Sequence, residues 1–477
     1  MDILDTVSKA IVGITRSYGR RVCRKGIAPD IPYANPEKIS GEKFRLGFAR
    51  RAVMPDLSLE RTYYIAGHGS GHVMKDILTP VLVHAVWLDC GGDEGMLWFS
   101  GDFIGMTGIE HNIIRKMVYD SKKIKGLKLI NFSCTHSHSG IDTVGYWGKP
   151  TASIPANGKV DEYMAALYRK AVEAAEEAYE KRKSGRLFVG RTKIENGLYT
   201  KRRIADRHEI MTRFRFVPDE GRETWILNFG AHPNSLGGSN RSLSAEYPYF
   251  MRERIYQGRG ANVLFGIGAI GGMDGAELED ATPLERVKYQ SRIYAEAAMA
   301  MEDEKELKPE IKYLRQQFYL PVDNYVLTLL AMLGTMSFKP YPCPSSSTGV
   351  AMKSELTYMQ IGGEKILTLP GENFVSTVYG PYNDKETSSN ALDPVINPPT
   401  LAEICGDEGL TVFGVTNDMT GYVVPMNDWV LNPTQPYLNG THDRFDENHY
   451  HETNSMGPNT QAVIAETFAG MVKRMEG

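Results

Sequence analysis

The stretch Cys134-Thr135-His136-Ser137-His138-Ser139-Gly140 decides how this chain is interpreted. It completes the run GLKLINFSC, whose continuous apolar end is typical of a buried strand. Side chains two apart on extended backbone face the same side, so we expect His136 and His138 to address one site. Two neutral imidazoles at a rigid strand end suit zinc, although an ordinary hydrogen-bonded polar loop has the same composition. The stretch by itself leaves both interpretations open.

Three further chemically active residues follow apolar strands in the same way. Each alone has an ordinary structural explanation: a turn histidine, a surface glutamate or a packed tyrosine. Two or more strands that each deliver such a side chain at the tip are what convergence on one metal ion requires. These residues are His232 after the run 224–231, Glu372 after the run 366–369 and its Pro-Gly turn, and Tyr422 after the run 411–416.

The rest of the chain alternates predicted strands and helices. A hairpin is predicted over 78–102, and amphipathic spacing predicts a long helix over 160–184 that stops at Gly185. Thr282-Pro283 is a good N-cap and first helical position for a helix to about Glu304. Strands are also expected at 224–231 and 262–267, whose alternation is typical of an antiparallel sheet, and a last helix is expected at 459–475. This order predicts an α/β fold of mixed β-sheets flanked by helices.

Composition excludes several classes of protein. With 477 residues, 42% of them hydrophobic, the chain is neither disordered nor collagen-like, and its net charge of −4 gives no sign of nucleic-acid binding. Five scattered cysteines do not form a disulfide framework, the N-terminus does not resemble a signal peptide, and no apolar run is long enough to span a membrane. We therefore expect a cytoplasmic protein that acts on a small molecule, without membrane insertion and with homo-oligomerisation open.

Taken together and in order, these motifs resemble the catalytic domain of the neutral/alkaline ceramidase family from about Phe44 to the C-terminus. The resemblance implies a zinc ion held by His136, His232, Glu372 and Tyr422, with His138 facing the substrate. In that role His138 would donate a hydrogen bond to the oxyanion or shuttle a proton, and Tyr422 would add to the stabilisation. The chemistry implied is hydrolysis of an amide by a water molecule that zinc activates.

The sequence departs from the family at several positions. Asp274, in the Gly-rich loop 268–275, stands where the family has a catalytic serine. A carboxylate cannot be that hydroxyl nucleophile, but it can act as a general base, accept a hydrogen bond from a substrate hydroxyl or make an extra metal contact. Asp also suits an ordinary turn. The segment Ile141 to Trp147 differs from the family's P-G-G, so a different pocket wall is expected. No C-terminal immunoglobulin-like domain is expected either.

Two polar residues outside the strand ends complete the candidate site. Arg202, in the basic cluster Lys201-Arg202-Arg203, is loosely aligned with a substrate-contacting arginine of the family and could bind a carboxylate or phosphate. Asp102, at the tip of a predicted buried strand, matches a family aspartate and could orient a metal ligand. Their structural alternatives are a solvated turn for Arg202 and a strand-end hydrogen-bond acceptor for Asp102.

The predicted function is zinc-dependent hydrolysis of an amide bond in a small, polar, N-acylated substrate. Three alternatives stay open: a true ceramidase, a zinc-assisted isomerase or lyase that acts on a polyol with Asp274 as base, and a zinc- or ligand-binding protein without turnover. Because the ligands run from His136 to Tyr422, any boundary between them would cut the site. We therefore predict an N-terminal extension over 1–43 and one large catalytic domain of two interlocked halves over 44–477.

Overall fold

A computed structural model describes residues 3–151, 154–203 and 207–477. Its α-helices are α1 (Ile3–Cys23), α2 (Gly108–Ser121), α3 (Asp161–Glu180), α4 (Glu246–Arg259), α5 (Pro283–Ala300), α6 (Tyr325–Met332), α7 (Val375–Val378), α8 (Leu401–Cys405) and α9 (Thr460–Glu476). Strands of the first half are β1 (Glu37–Ser40), β2 (Phe44–Ala52), β3 (Asp76–Ile77), β4 (Leu82–Asp89), β5 (Gly95–Gly101), β6 (Leu127–Cys134), β7 (Gly148–Thr151), β8 (Ile154–Ala156), β9 (Lys183–Lys193), β10 (Leu198–Thr200), β11 (Ile210–Pro218) and β12 (Thr224–Phe229). Those of the second half are β13 (Ser242–Leu243), β14 (Asn262–Ile267), β15 (Met273–Gly275), β16 (Glu304–Glu306), β17 (Glu310–Val322), β18 (Tyr341–Pro342), β19 (Val350–Ile361), β20 (Glu364–Thr368), β21 (Glu372–Asn373), β22 (Thr411–Phe413), β23 (Tyr422–Val423), β24 (Thr441–His442) and β25 (Asn448–His449).

Two large mixed sheets form the body of the protein. The nine-stranded sheet has the order β14-β12-β11-β9-β2-β4-β5-β6, with β16 paired to β9. The six-stranded sheet has the order β1-β17-β19-β20-β22, with β18 paired to β19. A hydrophobic cluster with side chains from both sheets lies between them, and in it the rings of Trp98 and Phe413 lie 4.4 Å apart. The sheets therefore pack face to face.

Helices cover the outer sides of this sandwich. Helix α3 packs on β2 and β4, α4 packs on β14 and α5, and α9 packs on β17 and β19. A second and larger hydrophobic cluster fills these interfaces. The predicted class, mixed sheets flanked by helices in one large domain, is confirmed. In the part of the chain that the structure describes, no helix is both long and apolar enough to cross a membrane.

Curvature of the nine-stranded sheet brings its two end strands together. Although β14 and β6 are opposite ends of the strand order, β14 contacts both β5 and β6, and the Ser100 hydroxyl donates a hydrogen bond to the Phe265 carbonyl. Strong twist and coiling are normal in a sheet of this width. As a result, the loops after β6 and after β12 meet at one end of the sandwich.

Most predicted elements agree with the structure, with three corrections. The hairpin is β4–β5, and Thr282 forms a full capping box with Glu285 at the start of α5. However, α3 ends at Glu180 rather than at Gly185, because β9 already begins at Lys183. Similarly, α5 ends at Ala300, since Glu304 belongs to β16. Strands β12 and β14, whose alternation suggested an antiparallel pair, run parallel.

Within the predicted extension, the described residues 3–43 provide α1 and the edge strand β1. Strand β1 pairs antiparallel with β17 from Glu37 to Ser40. In α1, Gly19 lies directly against the backbone of Thr348, and Arg16 donates a hydrogen bond to the Tyr325 hydroxyl at 2.9 Å. The segment thus packs against the body, and the boundary at residue 44 stays a prediction.

Gly19→Ala tests this packing, with Gly13→Ala as a matched control on the exposed side of the same helix. A Cβ at Gly19 would lie 1.6 Å from the Thr348 carbonyl oxygen, whereas nothing lies within 4 Å at Gly13. We expect Gly19→Ala to lower the free energy of unfolding by about 1–3 kcal/mol, and Gly13→Ala to raise it by about 0.5–1 kcal/mol. Urea denaturation measures both, and equal effects of the two substitutions would contradict the packing.

Candidate metal centre

The candidate site is built by loops that follow strands of both sheets. From the nine-stranded sheet, the loop after β6 carries His136 and His138, and the loop after β12 carries His232. From the six-stranded sheet, the segments after β20 and β22 carry Glu372 and Tyr422. Isolated bridges from Ser133 to Thr416 and from Gly271 to Phe374 tie these loops together. Four distant parts of the sequence therefore meet at one end of the sandwich.

Three buried histidines form the centre of the site. His136, His138 and His232 offer ring nitrogens that all lie within 4.8 Å of one another, and such a group can hold a metal ion. The Nε2 atoms of His232 and His138 are 2.9 Å apart. Burial, followed by the neighbouring imidazoles, holds the pKa of both His138 and His232 well below the ordinary value. Both rings are therefore neutral at pH 7, as metal ligation requires.

Backbone carbonyls fix the orientation of two of the three rings. His136 Nδ1 lies 2.6 Å from the carbonyl oxygen of Ile104, and His232 Nδ1 lies 3.1 Å from that of Met273. A carbonyl can only accept, so each Nδ1 carries the proton and each Nε2 presents a lone pair to the centre. His138 Nδ1 has no hydrogen-bond partner among residues 3–151, 154–203 and 207–477. The backbone thus supports His136 and His232 as ligands but leaves His138 less constrained.

The backbone that carries His136 and His138 differs from the predicted extended strand. The interpretation that both lie on extended backbone is wrong, because β6 ends at Cys134 and His136 has a φ of 63°. A left-handed conformation is costly for a non-glycine residue and is typically retained at functional sites. Gly67, with a φ of 104°, packs on the His138 ring so closely that a Cβ there would lie 2.5 Å from Cγ of His138.

Glu372 and Tyr422 lie side by side next to the histidines. They are paired residues of the short parallel ladder β21–β23. Glu372 Oε2 lies 3.2 Å from His136 Nε2 and 3.8 Å from His232 Nε2. Burial disfavours the carboxylate, but the two imidazoles outweigh it and hold the pKa of Glu372 below its ordinary value. Burial and then the Glu372 carboxylate raise the pKa of Tyr422 well above its ordinary value, so the phenol keeps its proton.

The arrangement of His136 Nε2 and Glu372 Oε2 suits a bound metal ion better than a direct hydrogen bond between the two atoms. His136 Nε2 and Glu372 Oε2 face each other in a buried place, and neither has a hydrogen bond of acceptable geometry within the described part of the chain. Buried polar atoms without partners are rare and demand an explanation, such as a bound ion. Two imidazole nitrogens and one carboxylate are also a common donor set of catalytic zinc.

A cleft of about 460 Å³ opens onto this centre. A cavity of this volume suits a small molecule. All five residues, His136, His138, His232, Glu372 and Tyr422, line it. Tyr146 and Trp147 of the predicted divergent wall line it as well. The structure thus combines a candidate metal centre with room for a substrate.

Asp274 contacts two side chains that line the cleft. Its Oδ1 accepts a hydrogen bond from Asn234 at 2.7 Å, and its Oδ2 forms an ion pair with Lys201 at 2.9 Å. Asn234 and Lys201 line the cleft, whereas Asp274 does not border it. The carboxylate predicted as a base is therefore engaged by two side chains of the cleft lining.

Arg202 and Asp102 are held away from the metal centre. The buried guanidinium of Arg202 donates to the Asp428 carbonyl at 2.8 Å and contacts His449 and Glu452. The Asp102 carboxylate forms a two-pronged ion pair with Arg252, at 2.9 and 2.6 Å. Its link to the site is indirect, through Thr135 at 3.5 Å, next to His136 in the chain. Neither residue lines the cleft.

Three residues without a predicted role belong to the site or support it. Lys201, rather than its neighbour Arg202, faces the cleft. His68 also lines the cleft, with its ring centroid 4.9 Å from that of His138. Glu246 is completely buried behind the loops. The basic cluster was a signal for Lys201, but neither His68 nor Glu246 follows a predicted strand, so the strand-end criterion missed both.

Glu246 links the two histidine-bearing loops. Its Oε1 accepts from Ser139 at 2.6 Å, next to His138, and its Oε2 accepts from the backbone of Leu236 at 3.2 Å, four residues after His232. Burial raises the pKa of Glu246 to about 8, although these hydrogen bonds oppose the shift. At neutral pH the side chain is therefore mainly a neutral carboxylic acid.

Comparisons with known proteins identify the fold. No family model matches the chain, and no curated protein sequence matches it. Among solved structures, the neutral ceramidase of Pseudomonas aeruginosa is similar with a TM-score of 0.67 and 15% identity, over 92% of this chain and 75% of that one. A ceramidase complexed with C2 has a TM-score of 0.67 and 14% identity, over 91% and 75% of the two chains. The predicted resemblance is confirmed as a likeness of fold.

Glu246→Gln tests the pH dependence that the buried acid predicts. Between pH 4.5, the ordinary pKa, and about 8, the unfolded chain releases a proton that the folded protein retains. The free energy of unfolding of the unmodified protein should therefore fall with rising pH relative to that of Glu246→Gln, by up to about 1.4 kcal/mol per pH unit. Urea denaturation across this range measures the difference, with Glu253→Gln on the same helix as control. A pH-independent difference would contradict the assignment.

Proposed function

We propose that this protein is a zinc-dependent hydrolase that cleaves the amide bond of a small N-acylated substrate. The observation that supports it most directly is the pair His136 Nε2 and Glu372 Oε2, buried 3.2 Å apart without hydrogen bonds in the described residues, beside His232 and at the base of a cleft. The shared fold with neutral ceramidases supports hydrolysis as the reaction class. The substrate and its amide bond are part of the proposal.

His136, His232 and Glu372 would hold the zinc ion, with Tyr422 as the adjacent fourth group. When bound, zinc would lower the pKa of a coordinated water molecule to about 7 and polarise the scissile carbonyl. The carbonyls of Ile104 and Met273 keep the two imidazoles in the ligating tautomer.

The remaining residues contact the substrate or hold other side chains of the site in place. We assign to His138, which lines the cleft beside His232, a hydrogen bond to the carbonyl oxygen as negative charge develops on it. Tyr422 keeps its phenolic proton and interacts with Glu372, so it can hold that carboxylate in place. We assign to Asp274 the positioning of Lys201 and Asn234 at the cleft surface, and its role as a general base stays a prediction.

His136→Ala tests the metal centre, with His442→Ala as the control at an exposed histidine in β24. Loss of one of three ligands should reduce the amount of bound zinc by about tenfold or more. It should also lower the rate of hydrolysis of N-acylated substrates by about 100-fold or more. Metal content by mass spectrometry and amine release are the two measurements. Stoichiometric zinc together with full activity in His136→Ala would contradict the proposal.

A further inference from the structure

The cleft has two chemically different walls that meet at the histidines. One is apolar and is formed by the loop of Tyr146 and Trp147, by Leu327 of α6 and by Met336 after it. These parts are contiguous, because Gly145 packs directly on the carbonyl of Thr335. A substrate whose carbonyl lies at the metal centre therefore meets this wall with one of its two arms.

A second wall is a chain of polar contacts. The His68 ring interacts with the backbone of Asn234, the Asn234 amide donates to Asp274, and Asp274 pairs with Lys201. Pairing of β10 with β15, together with the hydrogen bond from the Lys201 amide to the Gly272 carbonyl at 3.1 Å, places Lys201 beside Asp274. The wall is thus built by the fold and is not a chance meeting of surface groups.

Positive charge, rather than negative charge, faces the cavity on this wall. Both Asp274 oxygens are occupied by Asn234 and Lys201, and Asp274 does not border the cleft. The Lys201 ammonium has three N–H groups, and one suffices for the ion pair. Burial lowers the pKa of His68 to about 4, so its ring is neutral at pH 7 and adds no positive charge to the cleft. Lys201 therefore leaves donors for an anionic group of the substrate.

We propose that the amine-side arm of the substrate carries a carboxylate that binds Lys201, so that the substrate is an N-acyl amino acid with a short apolar acyl chain. This inference rests on the proposed amide hydrolysis and assigns the substrate class of the same site. Charge-assisted hydrogen bonds from an ammonium to a carboxylate are stronger than neutral ones and give the required discrimination against hydroxyl head groups. The apolar wall receives the acyl chain, and a cleft of about 460 Å³ suits a compact substrate.

Binding tests the inference without any turnover. The probe is the ketone in which a methylene replaces the amide NH of hexanoylglycine, and its neutral counterpart carries a hydroxymethyl group instead of the carboxylate. Calorimetry on the zinc-loaded protein measures both affinities. The acid should bind more tightly than the alcohol, by about tenfold or more, because it forms a charge-assisted hydrogen bond. Lys201→Gln should abolish this preference, Lys201→Arg should retain part of it, and Lys116→Gln, at an exposed lysine of α2, should leave it unchanged.

Two further measurements distinguish a failure of this inference from a failure of the proposed function. Because Lys201→Gln leaves Asp274 without its cation, the double variant Lys201→Gln/Asp274→Asn is measured as well, and it should lack the preference in a folded protein. Equal binding of acid and alcohol to the unmodified protein, or a preference that survives both variants, would overturn the inference. Selective binding of the acid, with no hydrolysis of hexanoylglycine or of hexanoylethanolamine, would leave the carboxylate site standing and refute the proposed function.

Discussion

The curvature of the nine-stranded sheet is the constraint on which the rest of this structure depends. Without it, the loops after β6 and β12 would lie at separated positions of a wide sheet, and His136 could not approach His232. The contact between β14 and β5–β6 holds this curvature, with the Ser100 to Phe265 hydrogen bond within it. Packing against the six-stranded sheet then adds Glu372 and Tyr422 from the other side. The site is thus a product of the whole core.

Several features that lower the free energy of unfolding lie together at the site. Burial of His136 Nε2 and Glu372 Oε2 without hydrogen bonds in the described part of the chain, and a left-handed backbone at His136, are each unfavourable by about 1–3 kcal/mol. Such costs persist where the surrounding structure fixes the groups firmly. Here the carbonyls of Ile104 and Met273 fix the rings, and the Glu246 side chain joins the two loops behind them. A bound cation would compensate the unpaired lone pairs.

Helices and strands were predicted correctly where their sequence signal lies within a few neighbouring residues. Strand β14 lies at the predicted residues 262–267, and the Thr282 cap starts α5 as expected, because capping and apolar runs act over a few residues. The end of α3 was misplaced because Gly185 belongs to β9, where pairing with β11 and β2 decides its conformation. Likewise, alternation cannot distinguish the parallel partner of β12 from its antiparallel one.

The fold class could be predicted from sequence alone, and so could the five residues that gather at the cleft, since each follows a recognisable apolar strand: His136, His138, His232, Glu372 and Tyr422. Which neighbours face them depends on the tertiary structure. Lys201 and not Arg202 reaches the cavity because β10 pairs with β15, and both oxygens of Asp274 are held by Asn234 and Lys201. His68 enters from a loop that no strand predicts. Contacts between residues far apart in sequence depend on sheet curvature and strand pairing, which no local pattern encodes.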